Sequence, residues 1–181
     1  MPSWLRFIFI ILFIVFITSL HVGAVYLLPY PLSKMNVLFS FFIIMLLWQN
    51  SGKIVWMVFF SHFLIELFTV SPFGIILFSS VIAFLISYWL YQNVFTNRSW
   101  YAALVLSVFT LSIYRILYIT LLFLGQLLGW QNNTPLRLVL VTSFWELLTT
   151  TGFLIIIYFI FSRFSKKLSS AVVIESSIYG R

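Results

Sequence analysis

The sequence predicts an all-α integral membrane protein: a bundle of six transmembrane helices joined by short loops, with both termini in the cytoplasm. Three observations carry this. Of 181 residues, 63% are apolar and only 7% charged, whereas a soluble domain carries about 25% charged residues. The apolar residues fall into six runs near span length, separated by polar or proline-containing breaks. The alternation of about ten residues that marks an outer-membrane barrel strand is absent. A chain of this composition cannot clothe a water-facing surface, which excludes a soluble enzyme, a disordered tail and a disulfide-rich secreted domain. With no cysteine, it has neither disulfides, thiolate metal sites nor a cysteine nucleophile.

The first run, 4–28, ends at Pro29-Tyr30-Pro31, where proline stops a helix. Val22-Gly23-Ala24 loosely fits a signal-peptide cleavage site, but the apolar run continues past it, which favours a retained helix. The second run, 36–48, is short for a span and closes on the polar turn Gln49-Asn50-Ser51-Gly52-Lys53; it fits a thinned bilayer anchored by Trp48. The third, 54–70, stops at Ser71-Pro72. The fourth, 73–95, ends in Thr96-Asn97-Arg98. The fifth and sixth cover 100–128 and 136–164. These runs make one six-helix transmembrane domain over 1–165, with a polar cytoplasmic tail over 166–181. No loop is long enough to fold into a catalytic domain outside the bilayer.

Lysine and arginine set the orientation. With the N-terminus inside, inner segments carry Arg6, Lys53, Arg98, Arg163, Lys166, Lys167 and Arg181, and outer loops carry Lys34 and Arg137. The net charge of +7 is scattered singly between apolar runs. It therefore reads as topology signals and attraction to anionic lipid rather than as a nucleic-acid surface.

Three charges interrupt the apolar runs: Glu66, Arg115 and Glu146. A lone charge at the bilayer centre costs at least about 2.5–3.5 kcal/mol, so each needs a partner or a wet cavity. At about 1.5 Å per residue, Glu66 stands about 20 Å from Lys53, Arg115 about 22 Å from Trp100, and Glu146 about 14 Å from Arg137. All three fall at similar height in the outer half of the bilayer, so a Glu66–Arg115–Glu146 cluster is expected. His62 lies one helical turn before Glu66, on the same face. The cluster reads as a polar clamp locking helices three, five and six; a solute pocket would want the same residues at the same height. No catalytic set is expected, because these residues build neither a Ser-His-Asp triad nor paired intramembrane aspartates. No metal centre or cofactor is expected either.

Part of the chain resembles a known family. Met35-Asn36-Val37-Leu38 opens an apolar run. His62-Phe63-Leu64-Ile65-Glu66 leads to Ser71-Pro72-Phe73-Gly74, the apolar stretch Val81 to Tyr88 follows, and Asn97-Arg98 makes a basic loop. Over about 70 residues this resembles MreD, a small multispan protein of the bacterial rod-shape machinery. The chain departs from the family pattern in carrying Met35 for proline, Glu66 for aspartate, Arg115 near an acidic position, and Phe59, Phe60 and Phe63 where the family has glycines. The resemblance implies a non-enzymatic scaffold in the bacterial cytoplasmic (inner) membrane, bound to the bitopic protein MreC. Through MreC it would link MreB filaments to the peptidoglycan synthases RodA and penicillin-binding protein 2. A second, weaker resemblance is to the substrate-binding S components of energy-coupling-factor vitamin importers, which are also six-helix proteins of this size. The Ala-x-x-x-Ala pattern that many of them use for docking is missing from the first run.

Overall fold

The computed structural model describes residues 3–49, 51–69, 71–94, 99–129 and 135–178, except the side chains of Ser3, Arg6 and 164–178. Among the described residues every regular element is helical: α1 (Ser3–Leu27), α2 (Val37–Gln49), α3 (Lys53–Glu66), α4 (Ile75–Asn93), α5 (Trp100–Leu127) and α6 (Leu136–Ile178), with a single 3-10 turn at Leu32–Lys34. Of the expected inner-face cations, Arg98 and Arg181 lie outside the described residues, as does the Asn97-Arg98 loop.

The six expected runs become six helices, but they are not six equal ones. Four are long and apolar enough to cross a membrane: α1 over Phe7–Leu27, α4, α5, and α6 over Leu136–Arg163. This is the build of a helical membrane protein. The 13 residues of α2 and 14 of α3 reach only about 20 Å, against a hydrocarbon core about 30 Å thick.

The short helices have local causes. Before α2, the Pro29-Tyr30-Pro31 break and the 3-10 turn take up the chain as far as Met35. At the end of α3, Phe68 N–H reaches back to the Ile65 carbonyl (2.9 Å), and the Thr69 hydroxyl donates to the Glu66 carbonyl (3.1 Å). These bonds close the helix at Glu66, four residues before the expected end at Val70. By contrast α6 runs past the expected boundary at 165 as far as Ile178. Between Phe153 and Ile178 there is neither proline nor glycine to stop it. Ser99 starts α5 by accepting a hydrogen bond from Ala102 N–H (3.2 Å).

α2 sits at the centre, touching α1, α3, α5 and α6. Its sequence offers no polar face, and a helix apolar all round is buried all round; nearly every residue from Val37 to Leu47 is buried. Phe39 of α2 is the packing hub. Its ring meets Tyr114 of α5 (4.8 Å between centroids), Phe84 of α4 (5.0 Å) and His62 of α3 (5.5 Å). Hydroxyls fasten the same bundle across helices. Ser87 of α4 and Thr110 of α5 share a hydrogen bond of 2.6 Å. Tyr91 of α4 donates to the Leu47 carbonyl of α2 (3.0 Å), and Ser40 of α2 to the Thr150 carbonyl of α6 (3.2 Å). α1 packs against α2 and α3 but leaves an apolar face of Phe7, Phe9, Leu12 and Phe16 open.

Within lipid, packing rather than water exclusion rewards a buried side chain. Phe39→Ala therefore loses its ring contacts and leaves a cavity, for an expected cost of about 3 kcal/mol. Phe68→Ala, at a side chain 77% exposed, is expected to stay within about 0.5 kcal/mol. Thermal melting of the two purified variants in detergent checks the contrast.

Candidate functional site

α2, α3 and α4 all meet one level of the bundle with a terminus. There the start of α2, the end of α3 and the start of α4 come together with mid-helix residues of α5 and α6, and Glu66, Arg115 and Glu146 gather at this level.

Arg115 of α5 forms an ion pair with Glu146 of α6 through its guanidinium Nη2. Glu146 is 3% exposed. Its other oxygen, Oε1, accepts from Asn36 Nδ2 (3.0 Å). Asn36 does three further things. Its Oδ1 accepts from Phe39 N–H (3.2 Å), which caps α2. Its own N–H donates to the Thr150 hydroxyl of α6 (2.8 Å). Its carbonyl accepts from Ser40 Oγ (3.4 Å). The Arg115 guanidinium also lies 5.5 Å from the Tyr114 ring centre and 5.4 Å from that of Tyr118, within cation–π range. A buried ion pair holds only where the remaining lone pairs are satisfied, and here Asn36 supplies that bond.

The expected cluster of Glu66, Arg115 and Glu146 divides in two. Glu66 does not join the ion pair. Its Oε1 accepts from Gly74 N–H (2.8 Å) and Ile76 N–H (3.1 Å), so it caps α4. The physical reason is the competition for that carboxylate. The first N–H groups of a helix lack intrahelical partners and carry the positive end of its dipole, and here they lie eight and ten residues along the chain from Glu66. Gly74 makes the turn with φ +102, a left-handed conformation suited to glycine. Glu66 Oε2 stays buried without a hydrogen-bond partner.

His62 is 2% exposed. Its Nδ1 donates to the Val58 carbonyl one turn earlier (2.9 Å). In the neutral ring that bond leaves Nε2 as a bare acceptor, and Nε2 has no partner among the described residues.

A cleft of about 230 Å³ opens beside these groups, lined among others by His21, Lys34, Asn36, His62, Arg115 and Glu146. Of the four site residues expected from sequence, His62, Arg115 and Glu146 meet at this cleft, and Glu66 turns away to α4. Sequence reasoning did not single out Asn36 or Lys34 as site residues. The signal for Asn36 was present, since it is a favoured capping residue standing directly before an apolar run. Chemically, the arrangement engages both oxygens of Glu146 and one oxygen of Glu66, and leaves the Arg115 Nε donor and the His62 Nε2 acceptor unpaired at the cleft.

Comparison with known protein families, curated proteins and solved structures gives no match.

Arg115→Ala strands the Glu146 carboxylate with Asn36 alone, a change expected to cost about 3 kcal/mol, because removing one partner of a buried pair leaves an uncompensated charge. Glu66→Gln retains an Oε1 acceptor for both α4 amides and is expected to cost about 1 kcal/mol. Melting temperatures of the two variants in detergent test the order; equal, negligible losses would refute it.

Proposed function

We propose that the chain is a non-enzymatic, multi-pass scaffold of the bacterial cell-wall elongation machinery, working as MreD does. The observation that carries this reading is the use made of the carboxylates. The chain has three acidic residues. Two of them, Glu146 and Glu66, are spent holding helices in place, one in the ion pair with Arg115 and the other at the start of α4. Neither is poised as a general base or nucleophile toward a substrate. What such a molecule offers a partner is a fixed arrangement of helices.

In this reading the chain lies in the bacterial inner membrane with both termini in the cytoplasm. It crosses six times, with α2 and α3 spanning a locally thinned bilayer and Trp48 anchoring the end of α2 at the interface. Its partners are an MreC-like bitopic protein and, through it, RodA and penicillin-binding protein 2. The basic inner segments meet anionic lipid, and nucleic acid has no part. The S-component reading has the cleft in its favour. However, about 230 Å³ falls below the roughly 300–1,000 Å³ of pockets that enclose a drug-sized ligand.

Two experiments test the proposal. The tagged full chain, gently solubilised, is expected to bring down an MreC-like partner and a transpeptidase, identified by mass spectrometry. A pair of ATPase subunits, or a retained vitamin, would instead establish the importer reading. The absence of cysteine permits a clean topology map. Leu32→Cys is expected to react with an impermeant maleimide in intact cells and Lys53→Cys only after permeabilisation; labelling of both from one side would overturn the six-pass arrangement.

A further inference from the structure

We infer that the cleft at the start of α2 binds a phosphate oxyanion that carries a neighbouring hydroxyl. The chemistry of its lining points there. Arg115 is committed to Glu146 through Nη2, but its Nε–H is buried and has no acceptor among the described residues. Lys34 lines the cleft from the turn that leads into α2, and among the described residues no carboxylate pairs with it. The lining therefore holds two cations against one carboxylate, and that carboxylate is already satisfied by Arg115 and Asn36. A net positive, donor-rich cleft recognises an oxyanion.

His62 makes the site more specific. It lines the cleft, is 2% exposed, and keeps Nε2 without a partner while Nδ1 donates to Val58. A buried polar atom left unpaired costs about 1–3 kcal/mol. In the neutral ring this one wants a donor, which a phosphate group without a hydroxyl lacks. A hydroxyl adjoining the phosphate supplies it. Two sources share this chemistry: a phosphoglycerol lipid headgroup, and hydrogen phosphate free in solution. At about 230 Å³ the cleft has room for either together with a few waters, each of about 30 Å³. The inference stands apart from the scaffold proposal, because the atoms it uses, the Lys34 ammonium, His62 Nε2 and Arg115 Nε, form none of the hydrogen bonds or ion pairs that join the helices.

The test uses the full chain in a neutral detergent, followed by tryptophan fluorescence on heating. The probes are inorganic phosphate, and mixed micelles containing phosphatidylglycerol or phosphatidylcholine. At a hundredfold excess over Kd, binding is expected to raise the melting temperature by about 5 °C. A response to phosphatidylglycerol alone identifies a headgroup as the ligand, and a response to inorganic phosphate identifies a soluble anion; both support the site. Lys34→Met, at an exposed position, and His62→Gln are each expected to weaken binding about tenfold, while Lys53→Met, away from the cleft, binds as the parent does. The inference is overturned if neither phosphate source shifts the melting temperature, if phosphatidylcholine shifts it equally, or if Lys53→Met loses as much as Lys34→Met. Should His62→Gln not fold, Lys34→Met against Lys53→Met decides the question.

Discussion

The ion pair between Arg115 and Glu146, completed by Asn36, is the interaction on which the bundle depends. Charges among apolar helices are tolerated only when their partners are close and the leftover lone pairs are filled. Here the filling residue is the cap of the central helix. Asn36 holds the start of α2, one carboxylate oxygen of α6 and a hydroxyl of α6 at once. The position of α2 in the bundle is therefore set at its first turn by polar bonds, while its apolar length is free to pack on every side. Phe39 lies one turn further on, and its contacts with α3, α4 and α5 inherit that placement.

The second constraint is length. α2 and α3 are too short to reach both ends of α5 and α6, so the bundle is complete at one end and interrupted at the other. α5 continues twelve residues beyond Arg115, and α6 begins ten residues before Glu146. At about 1.5 Å per residue these two helices stand roughly 15–18 Å above the polar layer. The cleft lies at that interruption, partly roofed by the chain that joins α1 to α2. Polar groups gather there because the termini of three helices need partners and the long helices beside them supply some.

Much of this was legible in the sequence. The six apolar runs follow from hydropathy, and helix rise alone placed Glu66, Arg115 and Glu146 at one height. The pairing was harder to read. Opposite charges at equal depth suggest a three-member cluster, but Glu66 found backbone amides instead. Amides have no letter of their own in a sequence; only Gly74, placed after Pro72, hints at a turn that would present them. The early end of α3 depends on Thr69 bonding back to the Glu66 carbonyl, a local choice that the apolar pattern of 54–70 does not display. Asn36 was readable as a cap but not as a bridge, since its reach to Glu146 and Thr150 spans more than a hundred residues of chain.

The placement of Glu146 on the sixth helix has a consequence for biosynthesis. A chain is made from its N-terminus, so a contact between distant residues waits until the later one has been made. When α5 arrives, Arg115 has Tyr114 and Tyr118 beside it but no carboxylate, and Asn36 has waited without an acceptor for its amide since α2 was made. Glu66, by contrast, is answered as soon as α4 follows α3. The two carboxylates are thus separated in chain order from their partners very differently, Glu66 by eight and ten residues from the amides it accepts from and Glu146 by a whole helix boundary from Arg115. A chain halted before its sixth helix carries an arginine without its carboxylate, a mark by which unfinished copies differ from finished ones.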